Sequence, residues 1–328
     1  MNAAQKLLLV KPTIFQTLFG TFVYLLKKNT VRPSIQTQIG PYTLISETQK
    51  SKFHKFSIGI YVKNDEKVFI KTWQGTTKDL SYYSLVNEFR VNALLNTKLE
   101  GLKLENMMHI PKVKDVITSK NMLSVVFEYI EGKHLNTFPT TYQIDVLDRV
   151  CRTMAVLSTT LTDQDLTHFI KRTVGFYVCS LPFLLVLSLV VRPSTFFSSW
   201  NRLIRSIHSI NDLRHQKLSV AHRDIAPTNI IMQESHVYLV DCEYVALTVP
   251  FYDLNYVSVE ADFAELSGDI GRRFTSTNNE FLRTYMMIQG MVNAKHTPSR
   301  QNHYVSLLKS NANKQQIRNF VSLVRETF

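Results

Sequence analysis

Apolar and polar positions alternate along three runs, Tyr42 to Ser46, Phe56 to Val62 and Val68 to Trp73, with the two-residue period of strands buried on one face. Asn64-Asp65, between the last two, predicts a hairpin turn. A helical stretch follows from about Leu80 to Leu99, then two more strands, Val113 to Thr118 and Met122 to Ile130. Three strands, a helix and two strands predict a compact α+β lobe that ends near Glu131-Gly132. Beyond it the period lengthens. Asp145 to Leu161, Ser198 to Leu213, Asn279 to Met291 and Gln315 to Val324 carry helical spacing. One hairpin interrupts this second half, with Asn229 to Met232 and Val237 to Asp241 flanking a polar Gln233-Glu234-Ser235 turn.

The chain of 328 residues has room for one two-lobed unit or two modest domains, and 45% hydrophobic with 20% charged residues excludes collagen-like, coiled-coil and disordered classes. Thirty-eight Lys and Arg against 26 Asp and Glu leave a net charge of +12, a field that favours anionic company. No nucleic-acid recognition motif accompanies that charge, so no nucleic-acid partner is expected. Cys151, Cys179 and Cys242 form neither a CxxC pair nor a His/Cys cluster, which fits a reducing, cytoplasmic setting without a disulfide framework or zinc.

Two stretches bear on membranes. The first forty residues include a basic, amphipathic segment that either packs on the body or lies on a membrane surface. Thr173 to Val191 are nineteen uncharged residues flanked by Lys171, Arg172 and Arg192, divided by Pro182. This stretch is either a buried helix or a bent helix or helical hairpin dipping into one leaflet, which would make the protein peripheral or monotopic at the inner face.

The strongest chemical signal is His222-Arg223-Asp224-Ile225-Ala226-Pro227-Thr228-Asn229, followed one hairpin later by Asp241-Cys242-Glu243. Phosphoryl transfer needs a carboxylate near the attacking hydroxyl and oxygen ligands for Mg²⁺. Asp224, Asn229 and Asp241 can supply them. These runs resemble the protein-kinase-like superfamily, and most closely its aminoglycoside phosphotransferase and choline kinase-like branch, where His-x-Asp-x4-Asn is the catalytic loop and an Asp-x-Glu triplet binds metal. Pro250-Phe251-Tyr252-Asp253-Leu254 is similar to a run that follows closely in that branch.

The resemblance covers about residues 41–290 and implies a bilobal α+β fold. A nucleotide-binding lobe over 41–131 would precede a mainly helical lobe over 132–328, with the apolar insert near 173–191 and the basic segment over 1–40. It implies Asp224 as catalytic base, His222 as support of the loop, Asn229 and Asp241 as Mg²⁺ ligands, and Lys71 as the phosphate-gripping strand lysine with Glu88 as its helix partner. Glu105 is a weaker competitor for that last role. Asp253 would brace the loop, and Glu128 and Ile130 would flank adenine. The loop after the first strand has no glycine, and Lys50 and Lys52 with Ser51 and Lys55 could substitute by charge. The function implied is ATP- and Mg²⁺-dependent transfer to a hydroxyl of a small-molecule, sugar or lipid-linked acceptor, with an anionic membrane surface as partner. The alternative is a catalytically weak or silent membrane-associated adaptor.

Overall fold

The computed structural model describes Leu7 and residues 34–48, 56–104, 107–259, 279–294 and 297–309. Residues 1–33 of the expected basic segment (apart from Leu7), Lys50 and Lys52 of the glycine-free loop, Glu105 and the helix expected at Gln315 to Val324 lie outside the described residues.

The alternating runs pair into one antiparallel sheet. Its strands are β1 (Gln38–Ile39), β2 (Tyr42–Glu47), β3 (Ser57–Lys63), β4 (Glu66–Gln74), β5 (Val113–Ser119) and β6 (Met122–Glu128), in the order β1-β2-β3-β4-β6-β5. Asn64 and Asp65 both take positive φ, 51° and 66°, the conformation that a tight two-residue hairpin demands. Lys71 lies on β4, a central strand, between Ile58 of β3 and Val125 of β6.

Helix α1 (Leu80–Gly101) starts at Asp79, whose carboxylate accepts from the Tyr82 amide and from the Trp73 indole. One side of α1, with Leu85, Val86 and Phe89, packs under the sheet on Trp73, Val125 and Phe127, and Leu7 joins that cluster. Its other side, with Val91, Leu95 and Leu99, enters a second core with Val150, Ile230 and Leu239 of the following lobe. This helix is therefore covered nearly all round and belongs to both lobes.

The chain leaves β6 through Gly132 into β7 (Lys133–His134), and after α2 (Thr140–Thr160) comes β8 (Lys171–Arg172). A side chain at Gly132 would collide with the backbone of Met232, so close approach of two strands fixes glycine here rather than an unusual φ. Helices α3 (Val174–Val191) and α4 (Pro193–Ser206) are followed by β9 (Ser219–Ala221), β10 (Ile230–Gln233), β11 (His236–Leu239) and β12 (Ala246–Thr248), and then by α5 (Glu280–Asn293) and α6 (Pro298–Lys309). The expected hairpin is present as β10 and β11, with β7 added to its edge. A third sheet, β8-β12-β9, lacks any sequence signal because its strands are two or three residues long and drawn from remote segments.

Neither a helical hairpin nor a break appears at Pro182. Helix α3 runs through it for 18 residues, about 27 Å at 1.5 Å per residue. Pro182 itself is exposed, as is Val178 one turn earlier, whose carbonyl loses its helical donor there. The inner face of α3, including Tyr177, Leu184 and Leu185, packs on Leu282, Tyr285 and Met286 near or in α5. Tyr177 and Thr248 share a hydrogen bond of 2.6 Å, and Ser180 and Tyr285 one of 3.0 Å. The stretch is thus half core helix and half open face.

Candidate active site

Three segments far apart in sequence meet at the Lys71 ammonium. Its Nζ lies 2.9 Å from each oxygen of Glu88 on α1 and 2.6 Å from Asp241 Oδ1, just past β11. Lys71 and Glu88 are buried, and about a third of the Asp241 side chain remains open. Burial by itself would lower the Lys71 pKa, yet the carboxylates of Asp241, Glu88 and Glu243 outweigh it and hold the ammonium protonated. Glu88 is driven the other way, up to about 7, by burial first and by repulsion from Asp241 and Glu243, against the pull of Lys71. The carboxylates contribute to both shifts: more of them than cations share this spot, so it attracts further positive charge.

Asp241 sits in the left-handed region at φ 62°, a conformation that Asp tolerates better than most residues. The segment after it is pinned to α1, because Asn87 Nδ2 donates to the carbonyls of Glu243 and Val245, both at 3.0 Å. Arg90 Nη2 in turn donates to Asn87 Oδ1 at 2.8 Å. Burial has driven the Arg90 pKa down to about 10. Asn87 and Arg90 were not singled out in the sequence. Their signal was present, since Asn87, Glu88, Arg90 and Asn92 leave α1 without a clean polar face.

The His222–Asn229 loop is held from behind. Asp253 accepts from the backbone amides of His222 at 2.7 Å and Arg223 at 2.8 Å, which supports the positive φ of 69° at Arg223. The buried His222 ring bonds through Nε2 to the Val240 carbonyl at 3.1 Å, tying the loop to the residue before Asp241. Asp224 Oδ1 accepts from the Tyr256 hydroxyl at 2.9 Å, and Asp224 Oδ2 from Asn229 Nδ2 at 3.2 Å. Because the Asn229 amide nitrogen faces Asp224, its carbonyl oxygen is directed elsewhere, and the Val240 amide donates to the Asn229 backbone oxygen at 2.9 Å. Tyr256 was a further residue that the sequence did not mark, although it lies one helical turn beyond Asp253.

The structure thus gathers Lys71, Glu88 and Asp241 at one point and His222, Asp224 and Asn229 on one braced loop beside it. Glu128 and Ile130 lie where the chain passes between lobes. The Glu128 amide donates to the Lys112 carbonyl at 2.8 Å, and its carboxylate accepts from the Lys112 amide at 3.2 Å, so both are engaged by β5's approach. Ile130 is buried. Among the described residues no three His, Cys, Asp or Glu side chains form a metal cage. Asp241 and Asn229 offer oxygen donors, the kind that a hard cation such as Mg²⁺ takes alongside phosphates and water.

No family model matches the sequence, and no curated protein matches it. Solved structures do. The apo form of a thermostable mutant of aminoglycoside phosphotransferase APH(4)-Ia superposes with a TM-score of 0.59 over 83% of this chain and 97% of that one, at 13% identity. A thermostable APH(4)-Ia mutant in ternary complex with AMP-PNP and hygromycin B gives 0.59 over 90% and 99%, at 12% identity. The gentamicin complex of APH(2")-IIa gives 0.54 over 84% and 93%, at 14% identity.

The raised pKa of Glu88 yields a prediction. A folded-state value near 7 against an ordinary 4.5 means that its contribution favours folding below about pH 4.5 and is lost as pH rises through 7. Glu88→Gln imitates the neutral form, so its melting temperature relative to wild type should climb between pH 5 and pH 8. A difference independent of pH would show that Glu88 is ionised throughout. At these levels of identity the likeness is one of fold: the chain has the bilobal fold of the aminoglycoside phosphotransferases.

Proposed function

We propose that the protein is an ATP- and Mg²⁺-dependent phosphotransferase that phosphorylates a hydroxyl of a small-molecule or lipid-linked acceptor at the cytoplasmic face of a membrane. The observation that carries the first part is the meeting of Lys71, Glu88 and Asp241 beside a loop on which Asp224 and Asn229 are hydrogen-bonded to each other. Lys71, kept charged by its carboxylates, offers a fixed cation to the nucleotide phosphates. Asp241 and the outward oxygen of Asn229 would hold Mg²⁺, which supplies charge neutralisation at the transferring group. Asp224 takes the proton of the acceptor hydroxyl, while Tyr256 and Asn229 fix its direction. Phosphoryl transfer needs little more from a protein than this positioning and charge.

Solved relatives in fold are named as complexes with AMP-PNP, hygromycin B and gentamicin, which supports nucleotide-driven transfer to a small acceptor. The net charge of +12 argues against a polycationic acceptor of the aminoglycoside kind for this chain.

The membrane part rests on α3 and α4. Phe183, Val186, Leu189 and Val190 (67% exposed) line the outer face of α3, and Phe197 (75% exposed), Trp200, Ile204 and Ile207 recur at helical spacing on and just past α4. Leaving a large apolar side chain in water forgoes about 1.5–3 kcal/mol. Residues 167–211 hold no acidic residue, and Lys171, Arg192 and Arg205 stand at their surface, which matches an anionic lipid surface.

Asp224→Asn should retain ATP binding and lower turnover by about 10²–10⁴-fold, the usual contribution of a general base. Full activity in that variant would remove Asp224 from the mechanism, and nucleotide binding without turnover by the wild type on any hydroxyl acceptor would favour the silent-adaptor reading. In flotation with phosphatidylglycerol-containing vesicles the wild type should bind, more weakly but still measurably in high salt. The variant Phe197→Ser, Trp200→Ser, Ile204→Ser should stay soluble, bind ATP and leave the vesicles. Wild type that ignores vesicles and dimerises through this face would overturn the membrane reading.

A further inference from the structure

Behind the Asp224 loop lie two arginines that no carboxylate of the described residues pairs with. Arg172, on β8, is only 8% exposed. Its guanidinium stacks on the Phe176 ring at 4.1 Å, and its Nε has no hydrogen-bond partner. Arg223, the residue before Asp224 and half-buried, lies over the Tyr252 ring at 5.2 Å, shares a side-chain hydrogen bond with Tyr252 and reaches the Tyr244 carbonyl at 3.5 Å, while its Nε is unpartnered. The aromatic rings connect the two: Phe176 meets Tyr177 edge to face, and Tyr177 stacks near Tyr252 with centroids 6.0 Å apart.

Among the described residues no carboxylate forms an ion pair with either arginine, and Asp253, which feels the Arg223 charge, is engaged by two backbone amides. Burial keeps the Tyr252 and Tyr285 hydroxyls neutral. Burial, and then the charge of Arg223, lower the Arg172 pKa to about 10, which leaves it protonated at neutral pH. A third positive element adjoins them. Arg172 stands two residues before α3, whose first turn carries no acidic residue and whose Thr173 makes no side-chain cap. A buried unpaired charge is among the most destabilising features a fold can hold, and two neighbouring guanidiniums repel as well. Arg is also the side chain whose planar donors match carboxylate and phosphate.

We infer that Arg172 and Arg223, with the rings of Phe176, Tyr177 and Tyr252 around them, form a site for an oxyanion carried by the acceptor, a phosphate before any other, next to the hydroxyl that Asp224 deprotonates. The inference rests on the phosphotransferase reading for the word acceptor, but not for the anion site itself. It deepens that reading by giving the acceptor a chemical class: a phosphorylated or otherwise anionic alcohol, such as a sugar phosphate or a phosphate-bearing headgroup.

The test uses inorganic phosphate in thermal-shift titrations of the full chain, with saturating Mg²⁺ and AMP-PNP present to occupy the nucleotide side. The wild type should show a saturable rise in melting temperature. Arg172→Met, which keeps the contact with Phe176, and Arg223→Met should each weaken phosphate binding at least tenfold. Without phosphate, Arg172→Met should melt no lower than wild type, because it removes a charge that nothing compensates. A variant that melts well below wild type or fails to fold would make Arg172 structural and overturn the inference. So would a wild type that ignores phosphate, or a response unchanged in Arg223→Met, which would mean an adventitious ion only.

Paired acceptors then separate an acceptor phosphate from free phosphate. Sugar phosphates should be turned over in preference to their neutral parents, and Arg172→Met should erase that preference through KM. Equal use of both parents would overturn the acceptor role. Phosphate binding that depends on the arginines in a protein that binds no nucleotide would overturn the phosphotransferase reading while leaving the anion site standing.

Discussion

The structure turns on one buried ammonium. Lys71 cannot stay charged inside the protein without carboxylates, and Glu88 and Asp241 reach it from a helix and from the end of a hairpin 170 residues away in sequence. Satisfying it fixes the central strand of the sheet, the seating of α1 and the approach of the second lobe in one step. Asn87 and Arg90 extend the same logic, since their buried polar groups bind the segment after Asp241 to α1. The arrangement leaves carboxylate in excess, a surplus that on the proposed reading would be met by a divalent cation with its phosphates.

The Asp224 loop is the boundary between two opposite fields. On one side the carboxylates outnumber Lys71; on the other, no carboxylate among the described residues forms an ion pair with Arg172 or Arg223. Asp253 holds the loop at this boundary by its backbone rather than by its side chains, which frees Asp224 and Arg223 to face different partners although they are adjacent. In phosphoryl transfer such separation is useful. On the proposed reading the metal that accompanies the nucleotide phosphates would be held on the acidic side and an anionic acceptor on the basic one, so each substrate would be oriented before the chemistry starts.

Much of this was legible in the sequence, and for local reasons. The His222 to Asn229 loop and its following hairpin lie within twenty residues, and Asn64-Asp65 announced its turn because few residues accept positive φ there. Lys71 and Glu88 were paired through the resemblance, Lys71 at the end of a good strand and Glu88 on the helix that follows it. What stayed hidden depends on distant chain segments. The β8-β12-β9 sheet is too short to carry a period, and Tyr256 binds Asp224 from a helix whose own pattern says nothing about that loop. Helix α3 passes Pro182 unbroken because tertiary packing of Tyr177, Leu184 and Leu185 outweighs one missing hydrogen bond. Its half-open face, and the matching face of α4, emerge only when the inner faces are seen to be covered.

The account stands most directly on Asp241, the one member of the Lys71 cluster that is still partly open to solvent. Isothermal titration of ATP, with and without Mg²⁺, into the wild type and Asp241→Asn measures its role directly. The account predicts that the wild type binds ATP far more tightly with Mg²⁺ and that the variant loses this gain while Lys71 keeps its pair with Glu88. Equal ATP affinity in both proteins, with Mg²⁺ present, would contradict it.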